Sequence, residues 1–144
     1  MKRLFDIMTS LLVLLFIWPV LVACAIAIRI ESPGPILYRQ ERVGLNGVPF
    51  RMWKFRSMVA NADTIGSYQT TERDPRVTRV GCFLRRTSLD ELPQIFNVFK
   101  GDMSLVGPRP DVPAQRANYT DAQWRKRTSV RPGVTGLAQA TLRS

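Results

Sequence analysis

Histidine is absent from the 144-residue sequence, and cysteine occurs only as Cys24 and Cys82. The first absence removes histidine-based triads and histidine-ligated metals from the chemistry open to the chain. The second leaves neither a metal-ligand spacing nor a disulfide framework, in keeping with a reducing, cytosol-facing compartment. Any metal is then a hard, oxygen-liganded ion such as Mg2+. Acidic residues are also scarce: 11 Asp and Glu stand against 21 Lys and Arg, a formal charge of +10. That excess, on a chain long enough for one modest domain, calls for anionic partners. Nucleic acid, anionic lipid headgroups and phosphorylated small molecules all have the required sign. Internal repeats and low-complexity tracts are missing too.

What the chain does have is one long apolar run. Leu4 to Ile28 carries a single charge, Asp6, and reads as a membrane segment. As one straight helix it would reach ~37 Å, enough to cross a hydrocarbon core. Trp18-Pro19 lies near its middle, and each half alone is too short to span. Lys2 and Arg3 precede the run and Arg29 follows it, while residues 31–144 hold 18 basic and 10 acidic side chains. Both flanks therefore favour the cytoplasm, which points to a proline-broken segment that enters and leaves by one face. Two other readings stay open on these residues. One is a kinked transmembrane anchor; the other is an export signal in which Leu21-Val22-Ala23-Cys24 serves as a lipoprotein cleavage box.

The most informative stretch is Arg85 to Pro110. Ser88, Leu89, Asp90 and Glu91 spell an S-x-x-E capping box, followed by Leu92, Ile95, Phe96, Val98 and Phe99 at helical spacing as far as Lys100-Gly101. Pro93 is tolerated only in a first turn, so the spacing predicts a helix starting at Leu89 or Asp90. Both acids then lie at the positive end of the helix dipole, which favours their ionised forms. Adjacent helical residues diverge by roughly 100°, so one acid can attack or accept while its neighbour holds something else. A bare helix cap is the competing explanation. The company of Arg85, Arg86 and Arg109, the last fixed between Pro108 and Pro110, argues for phosphate binding.

Around this centre the chain reads as follows. Ser32-Pro33-Gly34-Pro35 ends the membrane helix. Residues 36–43 and 48–58 read as strands joined at Gly44-Leu45-Asn46-Gly47, a hairpin whose second strand sets Lys54 and Arg56 on one face. Ala60 to Arg76 is polar and turn-rich and reads as a mobile loop. Pro113 to Thr128 reads as one helix bearing Tyr119 and Trp124 beside Arg125-Lys126-Arg127, suited to a membrane surface or to a solvated basic face. Arg131 to Gly136 reads as a turn, with Pro132-Gly133 in type II geometry. The fold class is α+β: mostly helical with a short β-hairpin, plus the N-terminal proline-broken re-entrant helix.

Four segments together carry a family likeness: Lys54-Phe55-Arg56-Ser57-Met58; Arg85-x-x-Ser88-Leu89-Asp90-Glu91-Leu92-Pro93-Gln94; Asn97 through Pro110; and Arg131-Pro132-Gly133-Val134-Thr135-Gly136. They resemble the bacterial sugar transferases, and more narrowly the monotopic phosphoglycosyl transferases, over nearly the whole chain. The resemblance implies a re-entrant helix over residues 1–30 and a cytosolic catalytic domain over 31–144, at the inner membrane of a bacterium. Family domains run on for several dozen residues past Gly136, so this one is expected to be C-terminally short. They also usually continue after that glycine with Trp, where this chain has Leu137.

The implied reaction moves a phospho-sugar from a UDP-sugar to polyprenyl (undecaprenyl) phosphate, giving polyprenyl diphosphate sugar and UMP. It is the first membrane step of glycoconjugate assembly. Asp90 is the implied nucleophile, forming a covalent aspartyl phospho-sugar, and Glu91 the implied Mg2+ ligand. Lys54, Arg85 and Arg109 match family positions near the phosphates. Arg56 joins them as a substrate-binding candidate through its place on the strand face of Lys54. The expected partners are the nucleotide sugar, the polyprenyl phosphate and membrane lipid, with no nucleic acid. From another class, a non-catalytic, membrane-tethered basic module that binds anionic lipid or nucleic acid remains the alternative.

Overall fold

The computed structural model describes residues 1–65 and 74–136. Residues 66–73, in the segment read as a mobile loop, and 137–144, with Leu137, lie outside the described residues. The chain forms two compact units. One comprises Met1–Phe16, Arg39–Trp53 and the chain from Gln94 onward; the other comprises Ile17–Tyr38 and Lys54–Pro93.

The apolar run forms one helix, α1 (Lys2–Glu31), with Pro19 inside it. The helix continues through the expected break. Proline removes one intrahelical bond, a loss that apolar membrane helices accommodate. By length and composition α1 is able to cross a membrane. Many of its apolar side chains, among them Leu4, Phe16 and Trp18, stay exposed. Cys24 of the cleavage-box reading is buried within the helix.

Strands β1 (Leu37–Val43) and β2 (Pro49–Phe55) pair as the expected antiparallel hairpin, joined by a 3-10 turn over Leu45–Gly47. Asn46 takes the left-handed conformation at the tip, φ 55°, where asparagine is among the better-tolerated residues. β2 is shorter than its sequence suggests. The Arg56 amide donates to the Ile36 carbonyl at 2.9 Å, and Met58 pairs separately with Val77.

In the second unit, Cys24 and Ile28 of α1, Phe55 of β2 and Leu84 of α3 (Arg79–Thr87) form a buried core, with Leu21, Ala25, Ile36, Leu37, Val80 and Leu89 against it. A short helix, α2 (Ala62–Ile65), precedes α3. Thr78 caps α3 by accepting the Gly81 amide at 2.9 Å.

The capping box expected at Ser88 does not form. Ser88 is left-handed, φ 60°, and terminates α3 with its amide bonded to the Arg85 carbonyl. Its side chain caps nothing, and Glu91 is drawn to Lys54 instead. The acids therefore sit on a 3-10 turn, Leu89–Glu91, and the regular helix α4 (Gln94–Lys100) begins only after Pro93.

In the first unit, α4 packs on β3 (Ser104–Val106) and β4 (Gly133–Thr135). Val98 and Met103 are fully buried there, with Met52 and Ile95 close to it. The segment read as a type II turn is thus a strand. β4 runs parallel to β3, with Ser104 opposite Gly133 and Val106 opposite Thr135. Gly133 serves close approach: a Cβ there would lie 2.1 Å from the Gly107 nitrogen. The helix expected over 113–128 is two elements, a 3-10 segment Pro113–Asn118 and α5 (Asp121–Thr128). Thr120 divides them through a reciprocal capping box with Gln123.

Candidate active site

Most of the residues singled out as carrying chemistry fall in the second unit. The alternation of β2 sends Phe55 into the core, while the Lys54 ammonium donates to Glu91 Oε1 at 2.8 Å. Asp90, one residue earlier on the 3-10 turn, is buried, 9% exposed. Burial raises the pKa of its carboxyl from the ordinary value, and the Glu91 charge adds to this; Lys54 and Arg85 pull the other way. That corrects the expectation from the helix dipole. The 3-10 turn supplies no regular helix end at Asp90, so desolvation dominates.

Arg85, in the last turn of α3, is oriented by Ser57, whose Oγ accepts from its Nε at 2.7 Å. Ser57 escaped the functional reading of the sequence. Its signals were its place directly after the Lys-Phe-Arg cations and within the segment Lys54 to Met58 that carries the family likeness. Arg86, next to Arg85, is exposed.

Arg56 is 7% exposed and turned to the end of α1. Its guanidinium donates to the Ser32 carbonyl and hydroxyl, both at 2.7 Å, and to the Pro33 carbonyl at 2.9 Å. Lys54 lies near the end of β2 and Arg56 just past it, and they engage different partners.

Arg109 belongs to the first unit and is exposed on the Pro108–Pro110 segment. The backbone there is held from several sides. Gly133 N donates to Pro108 O at 2.9 Å, Arg127 Nη2 to Arg109 O at 3.1 Å and Arg42 Nη1 to Pro110 O at 3.0 Å. Arg127 also pairs with Asp111, which raises the Arg127 pKa. Arg109, Asp111, Arg127 and Thr128 line a depression beside Gly44 and Pro132. Tyr119 and Trp124 meet with their rings tilted at 44° and 5.7 Å between centroids, with Arg127 over Tyr119 and Arg116 over Trp124.

Among the described residues, no three potential metal-ligating side chains converge. Mg2+ does not need such a cage. It takes one or two carboxylates and completes its shell with water and phosphate oxygens, and the carboxylate expected to meet it, Glu91, lies beside Asp90 with its Oε1 accepting from Lys54 at 2.8 Å.

The sequence matches the bacterial sugar transferase family over residues 1–144, and the chain belongs to that family. It is 50% identical over 141 residues to the UDP-glucose:undecaprenyl-phosphate glucose-1-phosphate transferase of Escherichia coli (strain K12), covering 96% of this chain and 30% of that protein. The UDP-N-acetylgalactosamine-undecaprenyl-phosphate N-acetylgalactosaminephosphotransferase of Aeromonas hydrophila is 43% identical over 144 residues, covering 96% and 33%. The exopolysaccharide production protein PSS of Rhizobium leguminosarum bv. phaseoli is 46% identical over 145 residues, covering 96% and 72%. The chain thus spans about three tenths of the length of the Escherichia coli relative.

Proposed function

We propose that the chain is a membrane-bound phosphoglycosyl transferase domain that transfers a phospho-sugar from a UDP-sugar to undecaprenyl phosphate. The observation that carries this reading is Asp90: a buried carboxylate on a turn, with Lys54 and Arg85 close enough to act on its charge.

An Asp90 oxygen attacks the sugar-bearing phosphorus of the donor. The bond from that phosphorus to the bridging oxygen breaks, and UMP leaves with the electron pair. An oxygen of undecaprenyl phosphate then attacks the same phosphorus, the aspartyl oxygen leaves, and undecaprenyl diphosphate sugar forms with Asp90 regenerated. Neither attacking oxygen must lose a proton if it is already ionised, so the missing histidine is no obstacle. Lys54 and Arg85 neutralise phosphate oxygens, which is the main requirement of phosphoryl transfer. Mg2+, when bound, supplies further neutralisation, and Glu91 is the residue that would hold it. The names of the relatives support the choice of a UDP-sugar and undecaprenyl phosphate as substrates.

The membrane segment is re-entrant in this proposal, on the cytosolic face of the bacterial inner membrane. Support comes from what each end of α1 holds. Lys2 donates to Val106 O at 3.0 Å, and Arg3 to Val98 O at 2.5 Å and Phe99 O at 2.6 Å. At the other end Glu31 accepts the amides of Arg79 and Val80 at 2.8 and 2.9 Å. Both ends thus bond to chain that follows the membrane segment, and among the described residues no other helix is apolar and long enough to cross.

The test is UMP release from a panel of UDP-sugars with undecaprenyl phosphate and Mg2+ in nanodiscs. Release that Asp90→Asn abolishes, with a phospho-sugar adduct on the wild-type chain, is the expected result. Release that survives Asp90→Asn overturns the assignment.

A further inference from the structure

The end of α1 is fastened to the same elements that bear the candidate catalytic groups. The two Glu31 carboxylate oxygens take the first two amides of α3, one each. A carboxylate there satisfies donors that no helix carbonyl can reach and offsets the positive helix end. Arg56 closes the other side, binding Ser32 and Pro33 immediately after the helix. A buried guanidinium with three bonds to the turn is a stiff connection.

These contacts lead straight to the site. Arg56 lies between Phe55, which packs on Cys24 and Ile28 of α1, and Ser57, which orients Arg85. Helix α3 lies directly on the Ser57 backbone. A Cβ at Gly81 would fall 2.0 Å from the Ser57 carbonyl oxygen, and the Thr78 amide donates to that oxygen at 3.1 Å. Two residues beyond Arg56 toward the hairpin sits Lys54, and three residues beyond the last residue of α3 sits Asp90. The C-terminal end of the membrane helix, β2 and α3 therefore form one braced assembly.

We infer that Glu31 and Arg56 are positioning residues that lock the end of the membrane helix to β2 and α3, and so set how the nucleophile-bearing turn meets a membrane-borne acceptor. Neither touches the reacting atoms. The inference rests on the transferase reading for its kinetic consequence alone. A water-soluble nucleotide sugar reaches the site whatever its seating on the bilayer, whereas a lipid-anchored phosphate must be met at a fixed depth. Loosening the clamp should therefore impair acceptor use and spare donor use.

The experiment uses the full chain in nanodiscs, comparing wild type with Glu31→Ala, Glu31→Gln and Arg56→Lys. UDP-glucose and UDP-N-acetylgalactosamine are the donors and undecaprenyl phosphate the acceptor. Expected for Glu31→Ala is a KM for undecaprenyl phosphate raised about tenfold, consistent with the loss of two charge-assisted bonds. The single-turnover release of UMP without acceptor should stay within about twofold. Glu31→Gln keeps one acceptor oxygen and should fall between, and it carries the test if Glu31→Ala does not fold.

A second readout is independent of turnover. Energy transfer from a fluorophore on Cys82, exposed on α3, to a headgroup-labelled lipid reports the seating of α3, with Cys24 replaced by Ala. The clamp requires that transfer change in Glu31→Ala and change less in Glu31→Gln. Unchanged transfer, or acceptor and donor kinetics that decline together, overturns the inference. If wild type releases no UMP from either donor, the transferase reading fails with those donors, and the energy-transfer comparison still decides the clamp.

Discussion

Asp6 accepts the Ser104 hydroxyl on both carboxylate oxygens, at 3.1 and 2.9 Å, and the Leu105 amide at 3.2 Å. It is 3% exposed and is the lone charge between Leu4 and Ile28. A charge in an apolar helix is retained only where its partners outweigh desolvation, and here the partners belong to β3. With Lys2 and Arg3 it ties the first turns of α1 to β3 and the end of α4. Asp6→Ala leaves a buried hydroxyl and amide unanswered and is expected to cost about 1–3 kcal/mol. Asp6→Asn keeps one accepting oxygen and should cost less. Thermal unfolding in nanodiscs measures both, and an unchanged midpoint in Asp6→Ala contradicts the docking role.

The position of Asp90 makes stability and activity respond to pH in opposite directions. Its folded-state pKa is raised, so its contribution to stability is fully present below the ordinary carboxylate value and is lost as pH rises through the folded value. Nucleophilic attack needs the ionised form, so UMP release should rise across that same upper interval. The acid limb of the pH–rate profile is expected above the usual carboxylate pKa. Lys54→Met removes the largest influence lowering that pKa and should move the limb to higher pH, in addition to lowering the plateau. A limb at the ordinary carboxylate value that Lys54→Met leaves in place would contradict this account.

Ser57→Ala tests the placement of Arg85 without touching the arginine. The bond lost is a charge-assisted one of 2.7 Å, and freeing a long side chain costs order as well as contact. A decrease of about tenfold in kcat/KM for the nucleotide sugar is expected, with Ser57→Thr restoring most of it because the hydroxyl remains. An effect from Ser57→Ala equal to that of Arg85→Ala would mean that Ser57 contacts the substrate itself.

The grouping of four candidate residues was legible in the sequence because they lie close along the chain. Asp90-Glu91, Arg85 and Lys54 lie within two short motifs, and the structure puts these four together in one unit. The environment was less legible than the residues. An S-x-x-E pattern predicts a capped helix, yet the left-handed Ser88 ends the preceding helix and the acids land on a buried 3-10 turn. Only packing by distant elements decides between a carboxylate held ionised and one pushed toward its neutral form. The same limit explains Arg56. Strand alternation located the cation, but no local rule could reveal that its partners are Ser32 and Pro33. The parallel pairing of residues 104–106 with 133–135 was hidden as well. Each strand is three residues long, too short for an alternation signal, and Pro132-Gly133 carries the composition of a turn.

That pairing gives a substitution with a large expected effect. Gly133→Ala would place a Cβ 2.1 Å from the Gly107 nitrogen and 2.6 Å from the Thr135 oxygen. Both are backbone atoms that no rotamer change can move, so β3 and β4 must separate. The bonds at risk are Ser104 N to Pro132 O at 2.8 Å, Gly107 N to Thr135 O at 3.0 Å and Gly133 N to Pro108 O at 2.9 Å. The expected loss is about 3 kcal/mol, at the upper end for overpacking. Because Arg109 follows two residues after Gly107, a higher KM for the nucleotide sugar should accompany it. Gly47→Ala is the control. Its Cβ meets only Trp124 Nε1 at 3.9 Å, and the position carries φ +80°, so backbone strain alone should cost about 1 kcal/mol with kinetics unchanged. Unfolding and initial-rate measurements on the two variants separate the effects, since close strand contact requires Gly133→Ala to be much the more damaging in both.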